Sequence, residues 1–393
     1  MPSNVQGLPH NLFKIMIPFN KPFFSGGEFK NISLAYEKGH LSGCGYFTEH
    51  CEEWLRKKLF ASGALLTHSC TAALEMSAIL LNITPGDEVI LPSYTFVSTA
   101  NAFVLRGAIP VYVDIRSDTL NINEELIEGA ITSRTKAIVP VHYAGVACEM
   151  DSILRLAEKY GLSIIEDAAQ GILSRYKGRP LGSIGQMGTL SFHETKNIIS
   201  GEGGALLLSD PSLIERAEVI REKGTNRRQF FHGQTDKYTW QGIGSSYPPS
   251  ELIAAVLSAQ LINAEDITIS RREIWNKYHT GLVDLELNGY LRRPIIPDEC
   301  EHNGHMYYCL ARNNVERNQL LEFMRQMGVN CTFHYVPLHT SPFGRRFYRP
   351  QNSLGITENI SGRLIRLPVW LGVEKYQEYI LKSIKSFFDD KEK

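Results

Sequence analysis

No two of the seven cysteines (Cys44, Cys51, Cys70, Cys148, Cys300, Cys309 and Cys331) stand in Cys-x-x-Cys spacing, and their number is odd. Both features argue against a disulfide framework and against a zinc site, and for a reducing cytoplasm. An excess of one charge is missing too. The formal net charge is -1, so nothing in the composition draws the chain to nucleic acid or to a membrane surface. No apolar run approaches the length of a membrane span. There is no internal repeat, no low-complexity tract and no P-loop pattern. Residues 1–15, with Pro2, Pro9 and no long apolar core, do not resemble a signal peptide and are read as an N-terminal extension.

What is present is enough chain for two lobes, 393 residues with 43% hydrophobic and 21% charged. After helices over 28–38 and 49–60, short apolar runs alternate with amphipathic ones. The pattern predicts strands at 64–67, 88–91, 111–113, 137–141, 163–165 and 189–192. It predicts helices at 71–81, 95–105, 124–131, 152–160 and 211–223. Such alternation indicates an α/β fold, a mostly parallel sheet with helices on both faces, over residues 16–250. From 251 the pattern changes. A long helix over 251–264 runs on through Tyr278, followed by short elements at 305–310, 317–327 and 331–336. Residues 251–393 therefore read as a smaller α+β domain.

Parallel sheets bind ligands beyond the carboxyl ends of their strands. Ser69-Cys70-Thr71, Phe96, Asp167 and Lys196 all fall near such ends. Lys196 lies just past the buried run 189–192, where desolvation would disfavour its ammonium form and free the amine as a nucleophile. Asp167 closes the apolar run Leu162-Ser163-Ile164-Ile165-Glu166. A lysine and an acid so placed suit pyridoxal phosphate, with Lys196 forming the Schiff base and Asp167 keeping the pyridine nitrogen protonated. Ser69-Cys70-Thr71, between strand and helix, is a plain helix cap or a phosphate cradle, and the two are compatible. Phe96 is a core aromatic or a platform above a flat ring.

Asp167-Ala168-Ala169-Gln170 followed by Ser191-Phe192-His193-x-x-Lys196-Asn197 resembles the nucleotide-sugar aminotransferases among the fold-type I pyridoxal phosphate enzymes. The resemblance runs from about Ile17 to about Trp370 and includes the runs 92–101 and 141–148. It implies catalytic Lys196 and Asp167. It implies phosphate contacts from Cys70, Thr71 and Ser191, stacking by Phe96, and Gln170 beside the phenolic oxygen of the cofactor. Ser246 stands where many members carry an asparagine that reaches the cofactor phosphate of the neighbouring subunit. His334, in the run 333–339, becomes a candidate substrate contact. His193 either tunes the site or is structural. Arg228, in the basic turn 224–228, either faces a nucleotide pyrophosphate or is ordinary surface.

The resemblance further implies a homodimer with shared sites. It implies L-glutamate as amino donor and a dTDP-4-keto-6-deoxyhexose as acceptor. Three alternatives stand beside this. Amination at sugar carbon 3 uses the same lysine and acid. A related sugar dehydratase would carry histidine in place of Lys196. A non-catalytic nucleotide-binding module has only the weak spacing Gly182-x-x-Gly185-x-x-Gly188 in its favour.

Overall fold

The computed structural model describes residues 16–231, 233, 235–349 and 353–389. The extension expected over residues 1–15 lies outside the described residues. Seven strands form the main sheet: β1 (Gly63–Thr67), β2 (Glu88–Pro92), β3 (Ile109–Val113), β4 (Thr135–Ile138), β5 (Ser163–Asp167), β8 (Met187–Ser191) and β9 (Gly204–Leu208). Their order is β1-β9-β8-β5-β4-β2-β3. The pairings β3-β2, β2-β4, β4-β5 and β5-β8 are parallel, and β9 is antiparallel to both its neighbours. One strand of seven is thus reversed, and the mostly parallel sheet expected from the sequence is present.

Successive residues of the strands enter opposite cores. Ile90, Ile138, Ile164 and Leu207 pack on one face of the sheet. Val89, Ala137, Ile165, Leu206 and Leu208 pack on the other. Burial on both faces explains why these strands read as continuous apolar runs rather than alternating ones. Four helices precede β3 in the chain: α1 (Glu28–Glu37), α2 (Tyr46–Lys58), α3 (Cys70–Leu80) and α4 (Val97–Val104).

A second sheet, β10-β12-β13, joins Leu291–Arg292, Tyr307–Ala311 and Leu364–Leu367. Tyr307, Cys309 and Ile365 face a third core with helix Gln377–Asp389. From the opposite face Tyr308, Leu310 and Leu364 pack with Tyr94 and Tyr143, which come from loops at the end of the main sheet. This aromatic seam presses the smaller sheet against the carboxyl edge of the larger one. A small third sheet, β11-β6-β7, pairs Cys300–Glu301 with Arg175–Tyr176 and Arg179–Pro180.

Three expected elements differ. The helix over 124–131 is a 3-10 turn, Glu124–Leu126, and a single α turn, Ile127–Ala130, that contains Gly129. The helix from 251 breaks at Asn263, giving Glu251–Ile262 and Ala264–Gly281 at 65° to each other. Residues 331–336 are extended but form only an isolated bridge, Thr332 to Arg366. Among the described residues no single helix is long and apolar enough to cross a membrane.

Candidate active site

Parallel strand direction brings the ends of β1, β2, β5 and β8 to one edge, and a cavity of about 630 Å³ opens there. Cys70, Thr71, Phe96, Asp167, Gln170, Ser191, His193, Lys196 and His334 all line it. Two residues singled out from the sequence do not. Arg228 pairs with Glu218 at 2.5 Å and faces a second cavity of about 260 Å³. Ser246 bridges Glu222 through its backbone, outside the cavity of its own chain.

Lys196 sits in a loop that doubles back on its own strand. Phe192 donates its N–H to Gly203, Glu194 to Gly201 and Ser200 to Phe192. Lys196 is half-buried and lines the cavity. Burial pushes its pKa down and Arg366 adds to that, while Cys70 and Asp167 oppose it. The net direction favours the neutral amine, the nucleophilic form.

Asp167 is buried at the end of β5. Its Oδ2 accepts a hydrogen bond from the Thr99 hydroxyl at 2.7 Å, and its Oδ1 accepts from the Ala169 N–H at 3.2 Å. The neighbouring Glu166 is wholly buried and accepts from the N–H groups of Gly182, Ile184 and Gly185 and from His142. A Cβ on Gly185 would meet Ile164 at 2.7 Å, and one on Gly188 would meet the Gly182 carbonyl at 2.0 Å. The glycine spacing 182-185-188 therefore has a packing reason: it wraps a loop around Glu166.

The start of α3 presents hydrogen-bond donors to the same cavity. Ser69 caps the helix, its hydroxyl accepting from Ala72 N–H at 3.1 Å. The N–H groups of Cys70 and Thr71 open the helix and have no acceptor within it. The Thr71 and Ser98 hydroxyls lie 2.8 Å apart, and Ser191 ends β8 on the same cavity. A Cβ on Gly204 would meet Cys70 N at 2.4 Å, so β9 passes under this turn only because it begins with glycine. Burial raises the Cys70 thiol to about 12, so its backbone N–H, and not a thiolate, is what it offers an anion. Hydroxyls and N–H donors at one end, with a carboxylate and a desolvated amine in the same cavity, fit the phosphate, ring nitrogen and aldehyde of pyridoxal phosphate.

Other sequence candidates take defined places. Phe96 is 58% exposed and presents its bare ring to the cavity. Gln170 accepts from Ala144 N–H at 2.7 Å and donates to the Tyr335 hydroxyl at 3.0 Å. His193 Nδ1 accepts from Thr195 N–H at 3.2 Å, which leaves its Nε2 protonated, 3.6 Å from Glu202. His334 Nδ1 lies 3.1 Å from the Tyr143 hydroxyl, and burial pushes its pKa well down.

Several lining residues come from the smaller lobe and were not singled out from the sequence. Arg366 lies under the Phe19 ring, 4.7 Å from its centroid. Its Nε is buried with no hydrogen-bond partner, and no carboxylate pairs with it among the described residues. Arg271 is buried and donates to the Gly304 and His305 carbonyls. Asn197 donates to the Asn303 carbonyl at 2.9 Å, so its Oδ1 faces His305 Nδ1 at 2.8 Å. That fixes the proton of His305 on Nδ1, and burial holds the imidazole neutral.

The model of the DegT/DnrJ/EryC1/StrS aminotransferase family matches residues 26–385. This chain belongs to that family. Aminotransferases of the DegT/DnrJ/EryC1/StrS family work with pyridoxal 5'-phosphate, and that is its cofactor. It is 32% identical over 362 residues to the spore coat polysaccharide biosynthesis protein SpsC of Bacillus subtilis, covering 90% of this chain and 92% of the relative. Among solved structures it resembles the aminotransferase TlmJ from Streptoalloteichus hindustanus, with TM-score 0.87 and 28% identity over 95% of this chain and 99% of the other. It equally resembles Helicobacter pylori PseC, an aminotransferase involved in pseudoaminic acid biosynthesis, with TM-score 0.87 and 26% identity over 95% and 100%. The family member is thus a sugar aminotransferase with the fold-type I architecture.

Proposed function

We propose that the protein moves the amino group of L-glutamate to carbon 4 of a dTDP-4-keto-6-deoxyhexose. The product is a dTDP-4-amino-4,6-dideoxyhexose, with the galacto configuration, for surface polysaccharide synthesis. The observation that carries the chemistry is the meeting of Lys196, its amine desolvated, with Asp167 in a cavity that also holds a phosphate cradle. The choice of sugar rests on the runs 92–101 and 141–148. These are similar almost letter for letter to the dTDP-4-amino-4,6-dideoxygalactose transaminase that serves enterobacterial common antigen. The polysaccharide role named for the Bacillus subtilis relative agrees in kind.

When bound, pyridoxal phosphate supplies an electron sink for charge developing on the substrate carbon. The chain does the rest. Cys70 and Thr71 N–H groups and the Ser191 hydroxyl hold the phosphate, Phe96 covers the ring, and Asp167 faces the ring nitrogen. Lys196, as the free amine, would take the proton from the α-carbon of the donor and deliver it to the aldehyde-derived carbon of the cofactor. Arg366, a half-buried cation on the cavity with no carboxylate partner among the described residues, receives a carboxylate of L-glutamate. His334 contacts the sugar. Ser246 and Arg228, outside the cavity of their own chain, serve the cofactor phosphate and nucleotide pyrophosphate across a dimer interface. The protein works as a cytoplasmic homodimer, a state that sedimentation velocity measures.

The test is direct. Purified protein with L-glutamate and dTDP-4-keto-6-deoxyglucose should release 2-oxoglutarate and a 4-amino sugar whose axial amine is read by NMR coupling constants. Turnover of a dTDP-3-keto-6-deoxyhexose, with none of the 4-keto sugar, would replace the proposed regiochemistry. A Lys196→Ala protein that still turned over would remove the lysine from its role.

A further inference from the structure

Asp167 is held by a relay that neither the family match nor the sequence singles out. Thr99 Oγ1 lies 2.7 Å from Asp167 Oδ2, and Thr95 Oγ1 lies 2.8 Å from Thr99 Oγ1. All three side chains are buried. The polarity of the relay follows from donor count. A carboxylate only accepts, so Thr99 commits its single proton to Asp167. Its oxygen is then left as an acceptor, and Thr95 donates to it. Both threonines border the first turn of α4, and Phe96 stands between them as the helix N-cap. One turn of chain therefore carries both the aromatic over the cavity and the hydroxyl that fixes the carboxylate.

We propose that Thr99, backed by Thr95, is a positioning residue that sets the orientation of Asp167 toward the cofactor's ring nitrogen. The proposal rests on the assignment of Asp167 to that nitrogen. A donated hydrogen bond pins one carboxylate oxygen. The sp² torsion of an aspartate is otherwise broad, and rotation about it would swing the other oxygen off line. A ring nitrogen without a fixed partner holds its proton less firmly. Its positive charge then repels less the proton on the nitrogen that joins Lys196 to the cofactor, and that proton is lost at higher pH.

The experiment is a pH titration of the visible absorbance of the cofactor-loaded protein, with Thr99→Val, Thr99→Ser and Asp167→Asn beside the parent. Thr99→Val keeps the shape of the side chain and removes the hydroxyl. Its midpoint should rise by about one pH unit. Its kcat should fall about tenfold, with KM for both substrates unchanged within about twofold. Thr99→Ser should restore the parent midpoint. A Thr99→Val midpoint equal to the parent's, with only the melting temperature lowered, would reduce Thr99 to an ordinary buried hydrogen bond and end the proposal. Asp167→Asn separates the two levels: if it too leaves the midpoint in place, the assignment of Asp167 itself fails. Should Thr99→Val not fold, Thr99→Ala reads the same midpoint: a rise supports the relay, and a midpoint equal to the parent's ends it.

Discussion

A guanidinium taken out of water without a carboxylate beside it destabilises the protein that carries it. Arg366 approaches that position: the residue is half-buried, its Nε is out of water without a hydrogen-bond partner, and burial pushes its pKa down. Tyrosines surround it where an acid would normally stand: Tyr94, Tyr143 and Tyr335 all act on its charge. An arriving anion would find this cation without a competing carboxylate, which makes Arg366→Gln informative in two directions. KM for L-glutamate should rise about 10- to 100-fold, the worth of a charge-assisted hydrogen bond of ~1.5–3 kcal/mol. The melting temperature should stay level or rise, because a half-buried cation without a carboxylate partner has been removed. A variant that binds L-glutamate as the parent does assigns the carboxylate elsewhere. Lys196, Asp167 and the cradle residues were legible in the sequence because each sits in a short local motif at a strand end. Arg366, Arg271 and His305 were not, since they reach the cavity only through the docking of the second sheet. One signal was present: a lone arginine inside the apolar run Leu364-Ile365-Arg366-Leu367-Pro368-Val369-Trp370.

Elements were legible where burial on both faces left unbroken apolar runs, as in β1, β2 and β5, whereas β9, behind the glycine run 201–204, was missed. The apolar pattern misleads where local chemistry outweighs it. Gly129 gives the run 124–131 a poor helix interior, and Ile131 is already extended. Residues 331–336 look like a strand because Tyr335 and His334 are apolar or aromatic, yet both turn toward the cavity. The link that follows β11 carries a buried histidine. His302 is buried against Trp275, ring centroids 4.4 Å apart, and its Nδ1 accepts from Gly304 N–H. Burial pushes its pKa down to about 4 from 6.5, with the charge of Arg272 adding to the shift. The folded protein keeps this ring neutral where the unfolded chain takes up a proton. Stability therefore rises with pH between about 4 and 6.5 and is lost as pH falls through that window. His302→Gln should flatten the fall in melting temperature between pH 7 and pH 5, and an unchanged slope would assign the acid sensitivity to other groups.

At the scale of the whole molecule the unanswered surface is apolar. Trp240 is 82% exposed and Ile243 is 59% exposed, on the segment that precedes Ser246. Phe29, on α1, is 80% exposed. Large apolar side chains left in water on a chain with a net charge of -1 are an interface signature. The same segment holds the two residues, Arg228 and Ser246, that turn away from the cavity of their own chain. A homodimer reconciles both facts by covering the apolar residues and offering these two to the partner. Sedimentation velocity at micromolar concentration should give twice the 44.3 kDa chain mass. Replacing Trp240 and Ile243 together by serine should move the protein toward monomer and lower turnover in proportion. Burying two such side chains is worth ~1.5–3 kcal/mol each, enough to shift a dimer constant by two to four powers of ten. A monomer with full turnover at the same concentration would leave Ser246 and Arg228 without a role in catalysis.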